Sequence, residues 1–110
     1  MVKVSVLYPN SETARFDMKY YCDVHVPMAR AKFGAALKGV EVDRGLAGAA
    51  PGSRSAFIVI GHLYFDSVEA FQASFGPHSE ALVKDIPNYT NVEPDVQISE
   101  VVMPLELATS

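Results

Sequence analysis

The chain has 110 residues, 49% hydrophobic and 20% charged, and its 9 Lys+Arg against 13 Asp+Glu leave a net charge of −4. A single domain of this size buries about two thirds of its unfolded surface and folds without metal or disulfide staples. With only 7 Gly and 7 Pro, collagen-like and low-complexity classes are excluded, and the acidic balance argues against nucleic acid or an anionic membrane as the main partner.

Val2, Val4, Val6 and Tyr8 alternate with Lys3, Ser5 and Leu7, a strand that ends at Pro9-Asn10-Ser11. A helix follows from Phe16, with Asp17 as N-cap. At about 100° per residue, Phe16, Tyr20, Tyr21, Val24, Met28 and Ala31 share one face, and Lys19, Asp23 and Arg30 the other. Pro27 should kink or restart this helix, and Gly34 should end it. Residues 38–46 read as a second, weaker strand, and residues 47–53 as a small-residue loop. Residues 56–65 are the strongest strand. The run Asp66-Ser67-Val68-Glu69 has capping-box logic, an acceptor side chain with a Glu three residues on. Val68, Phe71, Phe75, His78 and Leu82 then form an apolar stripe that Gly76-Pro77 breaks in the middle. A loop over residues 85–90 leads to a last strand over residues 96–103.

The order β-α-β-β-α-β folds, with right-handed crossovers, into one four-stranded antiparallel sheet with both helices on one face: an α+β, ferredoxin-like arrangement of a single domain. Val2, Val4, Val6, Phe57 and Val59 supply one apolar face. Leu7, Ile58 and Ile60 point the opposite way, so the sheet wants cover on both sides. A second copy of the chain is the expected cover, giving a homodimer that encloses a cavity. The longest apolar run is far short of the roughly 20 residues that span a membrane. Cys22 is the single cysteine, and the opening residues form a strand rather than a signal peptide. A cytoplasmic protein is expected, so the Asn88-Tyr89-Thr90 sequon is a chance match.

Phe16-Asp17-x-x-Tyr20-Tyr21-x-x-x-His25-x-Pro27, then Phe65-Asp66-Ser67, then Asp85-Ile86-Pro87-Asn88-Tyr89-Thr90 with Pro94 after it, together resemble the EthD family. The resemblance runs from about residue 2 to residue 103. It implies a dimeric α+β barrel of ferredoxin-like subunits. The family's namesake is associated with bacterial degradation of ethyl tert-butyl ether beside a cytochrome P450 system. Fungal relatives are linked to decarboxylation, dehydration or cyclisation of aromatic polyketides.

Among candidate site residues His25 leads, because an imidazole exchanges protons near neutral pH. It lies about 40° around the helix from Tyr21, at the border of the apolar stripe; the bland alternative is a helix-end histidine bonded to a carbonyl freed by Pro27. Tyr21 is a core aromatic by periodicity that could aim its hydroxyl at a ligand or at His25. Asp23, two residues away, points about 200° off and should not orient His25. His62 and Tyr64 share a strand face with Ile58 and Ile60, which either lines the cavity or packs on the helices. His78 reads first as a core histidine bonded to backbone. Tyr89 belongs to a polar loop, with Asp85, Asn88 and Thr90, whose default reading is a structural turn. Cys22 has no flanking base or Cys-x-x-Cys partner. The histidines lack H-x-x-x-H or H-E-x-x-H spacing, and Gly45, Gly48 and Gly52 do not make a phosphate loop. No metal and no cofactor are expected.

The resulting reading is a small, largely apolar organic ligand in a barrel cavity. His25 and Tyr21 are the candidate catalytic pair, and His62, Tyr64, His78 and Tyr89 the candidate contacts. A cofactor-independent acid/base enzyme and a non-catalytic carrier for a degradation pathway are the two alternatives. An antibiotic-biosynthesis-type monooxygenase on the same fold is a third.

Overall fold

The structure, a computed structural model, describes residues 1–108. Four strands, β1 (Val2–Pro9), β2 (Gly39–Arg44), β3 (Phe57–Phe65) and β4 (Asp95–Glu100), form one sheet in the order β2-β3-β1-β4 with every pairing antiparallel. Two broken helical layers cross one face, so the architecture is the expected ferredoxin-like α+β domain. The last strand stops at Glu100, short of the expected Met103. Beyond it Val102, Met103, Leu105 and Leu107 are exposed. Among the described residues no helix is long and apolar enough to cross a membrane.

The first helical layer is α1 (Met18–Tyr20), a π turn (Tyr21–His25) and α2 (Val26–Phe33). Asp17 caps it as expected, its carboxylate accepting from the Tyr20 N–H at 3.0 Å. The π turn is the departure. The Val26 N–H reaches back five residues to the Tyr21 carbonyl, so the chain turns less per residue there. Val24 and Ala31 of the predicted stripe therefore face solvent. Tyr21, His25, Ala29 and Phe33 face the sheet instead, at spacings of four. Pro27 stays inside the first turn of α2, where its missing N–H costs little. Gly34 ends the helix at φ 58°, a conformation that glycine adopts without strain.

The second layer is α3 (Val68–Phe75), a 3₁₀ turn (Gly76–His78) and α4 (Ser79–Asp85), broken where Gly76-Pro77 predicts. Its cap is Ser67, which accepts from the Ala70 N–H at 3.0 Å; Asp66 is exposed outside the helix. The core between layers and sheet centres on Val4, Phe65, Phe33, Phe71, Ala29 and Leu82. Phe65 is completely buried and meets Phe33 and Phe71 edge-on at 5.5 and 5.3 Å between ring centres.

The register assigns the faces. Val4 pairs with Leu63 and Ile98, and Ser5 with His62 and Gln97. The odd residues of β3 therefore face the helices with Val4, Val6 and Tyr8. Its even residues Ile58, Ile60, His62 and Tyr64 face away with Ser5 and Leu7. That free face is mixed rather than apolar, since Glu41 and Asp43 of β2 join it.

Candidate functional site

A cavity of about 400 Å³ opens between the sheet and the helical layers of the one chain. It lies within one chain, on the helix-covered side of the sheet, apart from the cavity expected between two copies. The π turn and Gly61 together shape it. Tyr21 lies against β3 so closely that a Cβ at position 61 would collide with the Tyr21 hydroxyl. Glycine is the residue that admits this approach. Val6, Val26, Ala29, Leu63 and Ile86 supply apolar walls; Tyr8, Tyr21, His25 and Tyr89 supply the polar atoms, and Glu93 stands with Pro94 and Val96 in the same lining.

His25 is held by a carboxylate from the far end of the second helical layer. Its Nδ1 and the Asp85 Oδ2 are 2.8 Å apart, and both side chains are 12% exposed. The other Asp85 oxygen accepts from the Tyr20 hydroxyl at 2.7 Å and from the Asn88 amide at 3.0 Å. An ionised carboxylate only accepts, so Nδ1 carries the hydrogen and Nε2 the lone pair. Nε2 makes no hydrogen bond among the described residues. The ring is further fixed by stacking on Tyr21 (5.5 Å, 15° between planes) and by Tyr89 at 4.7 Å. The bland reading of a histidine bonded to a Pro27-freed carbonyl does not fit these contacts.

Burial alone would raise the Asp85 pKa, but hydrogen bonds from Asn88, Tyr20 and His25 outweigh it and hold the carboxyl below its ordinary range. A folded-state pKa below the unfolded value of about 3.9 stabilises the fold above that pH, and the contribution is lost as acid titrates the folded carboxylate. The stability gap between wild type and Asp85→Asn, followed by urea denaturation, should therefore narrow steadily as pH falls from 5 to 2. A gap constant over that range would mean that Asp85 takes no part in acid unfolding.

Burial pushes the phenols of Tyr8, Tyr21 and Tyr89 well above their ordinary values, so all three are neutral near pH 7. The Tyr8 and Tyr89 hydroxyls are 2.7 Å apart. Tyr21 does not aim its hydroxyl at His25; it lies flat along the imidazole with the hydroxyl over Gly61.

The other expected contacts lie elsewhere. His62 and Tyr64 are on the free face. Nδ1 of His62 is 3.1 Å from the Ser5 hydroxyl, Nε2 is 2.9 Å from Asp43, and Lys3 sits over the Tyr64 ring at 5.4 Å. His78 is half-buried in the 3₁₀ turn and is not in the cavity lining. Expecting no metal, sequence spacing overlooks Glu41, Asp43 and His62, whose ligand atoms lie within 4.8 Å of one another. Two of these three are exposed, and both His62 nitrogens already have protein partners. Asp23 pairs with Lys19 at 2.8 Å, away from His25 as expected. Sequence reasoning missed Asp85 as the partner of His25, and Tyr8 altogether. The Asp85–Tyr89 run was visible as a motif, but nothing in it indicates contact with a residue 60 positions earlier.

The EthD domain profile matches residues 10–93 of the chain. A solved EthD-like protein from Ralstonia eutropha JMP134 is 46% identical, with 93% of this chain and 92% of that one covered and a TM-score of 0.89. An ethyl tert-butyl ether (EthD) family protein from Bacillus halodurans C-125 shares the fold at 23% identity, covering 91% and 97% of the two chains with a TM-score of 0.62. A dimeric protein of ferredoxin-like fold from Bacteroides fragilis NCTC 9343 shares it at 16% identity, covering 90% and 94% with a TM-score of 0.52. No curated protein matches the chain.

Proposed function

The chain belongs to the EthD domain family, and from that premise we propose that it takes a small, largely apolar organic molecule into the cavity between sheet and helices and moves a proton on it without a cofactor. The observation that carries this reading is His25, set in a mostly apolar wall and held from behind the lining by Asp85. Asp85 holds the imidazole in one tautomer, and Nε2 is left as the basic atom of a ring that shares the cavity lining with Tyr8, Tyr21 and Tyr89. Decarboxylation, dehydration and cyclisation all need such a proton transfer, and a pathway of organic degradation or secondary metabolism is the setting that fits.

The working unit in this reading is a homodimer. Leu7, Ile58 and Ile60 on the free face, and Val102, Met103 and Leu105 beyond β4, are apolar side chains that a second copy would remove from water. A single exposed cysteine fits a reducing, cytoplasmic setting.

The test starts from whatever molecule co-purifies with the protein, identified by native mass spectrometry. Incubated with wild-type protein and no added metal, flavin or nicotinamide, it should be released altered, at a rate governed by a group titrating near neutrality. Recovery of the unchanged molecule after many hours would replace the enzyme with a carrier.

A further inference from the structure

The proton-transfer reading leaves the three buried phenols without a task. Tyr8 and Tyr89 are 2% and 3% exposed, their hydroxyls are 2.7 Å apart, and both residues line the cavity with His25. Tyr8 reaches them from β1, Tyr21 from the π turn and Tyr89 from the loop before β4. No carboxylate or backbone carbonyl accepts from any of the three among the described residues. A chain of three hydroxyls carries three hydrogens and has two internal links, and a chain of two carries two hydrogens and one link. Either way one O–H is left over without an acceptor among the described residues, on residues that line the cavity. The Tyr89 ring centre is 4.7 Å from that of His25, so the two rings are close enough to meet one small molecule.

The geometry points to a carbonyl-binding subsite: the Tyr8–Tyr89 hydroxyl pair donates a hydrogen bond to a ketone or similar carbonyl oxygen of the bound molecule while His25 removes a proton from the adjacent carbon. The substrate class is then a carbonyl compound with an acidic neighbouring C–H on an otherwise apolar skeleton. The step balances without a co-reactant. The C–H bond breaks, its proton goes to Nε2 of His25, and its electron pair becomes the C=C bond of an enolate. The charge on the oxygen is met by the phenolic hydrogen, and Asp85 stabilises the imidazolium. Burial keeps the phenols protonated, as a hydrogen-bond donor must be. The inference rests on the cavity being the ligand site.

The probes are 2-tetralone, which presents one carbonyl acceptor, and tetralin, the same skeleton without it. Tyr8→Phe/Tyr89→Phe removes both members of the pair with their shape retained, a change close to neutral for folding. Tetralin should bind wild type and the double variant equally, which also reports that the variant is folded. 2-Tetralone should bind the double variant about tenfold more weakly than wild type. Deuterium exchange at its C1 position in D₂O, followed by NMR, should be accelerated by wild type and fall about 100-fold in the double variant. Equal 2-tetralone affinity and equal exchange rates in the two proteins, with tetralin bound by both, would overturn the carbonyl subsite and leave the cavity reading standing. Failure of tetralin to bind wild type would overturn the cavity reading and this inference with it.

Discussion

His25→Ala should lower turnover of the cavity's molecule by about 10²–10⁴-fold, the usual contribution of a positioned acid/base group. The side chain does little packing work in comparison: it stacks on Tyr21 and holds Asp85, which keeps its bonds from Tyr20 and Asn88 when the imidazole is gone. The midpoint of thermal unfolding should therefore move far less than for a core truncation. Turnover of the His25→Ala protein within a factor of three of wild type would remove the imidazole from the chemistry. A midpoint shift as large as that of Phe65→Ala would make the ring structural.

Phe65→Ala should cost about 3–5 kcal/mol, read from the urea midpoint. Phe65 has no exposed surface and joins both helical layers to β3, meeting Phe33 on one side and Phe71 on the other. Neither ring can fill the vacated volume without leaving its edge-on contact. For a domain of this size the loss takes up much of the net stability. A cost under 1 kcal/mol would mean that the two layers close on each other without the central ring.

The fold was legible because each element carries its own local signal. The period-two alternation of β1, the Asp17 cap, and the Gly76-Pro77 break act over a few residues, and the chain order restricts the topology to few alternatives. The faces of β3 were only half legible. Ile58 and Val59 show that the strand alternates, but both parities are apolar, so the helix-covered one follows only from the pairing with β1. The side of His62 and Tyr64 stayed open for that reason, and the pairing with β1 puts both on the free face. Along α1 and α2 a fixed 100° per residue cannot anticipate a π turn, which moved Val24 out and drew His25 in. The Asp85–His25 pair was out of reach because it depends on how two helical layers meet across one sheet, which no spacing within either layer encodes.

In the proposed function the ligand site lies between the sheet and the helices, against His25, rather than on the free face of the sheet. Amide and methyl chemical-shift mapping during a titration with tetralin tests it most directly, because the two faces of β3 carry separate reporters. Perturbations are expected at Val26, Ala29 and Leu63, with Ile58, Ile60 and His62 unmoved. The reverse pattern would contradict it.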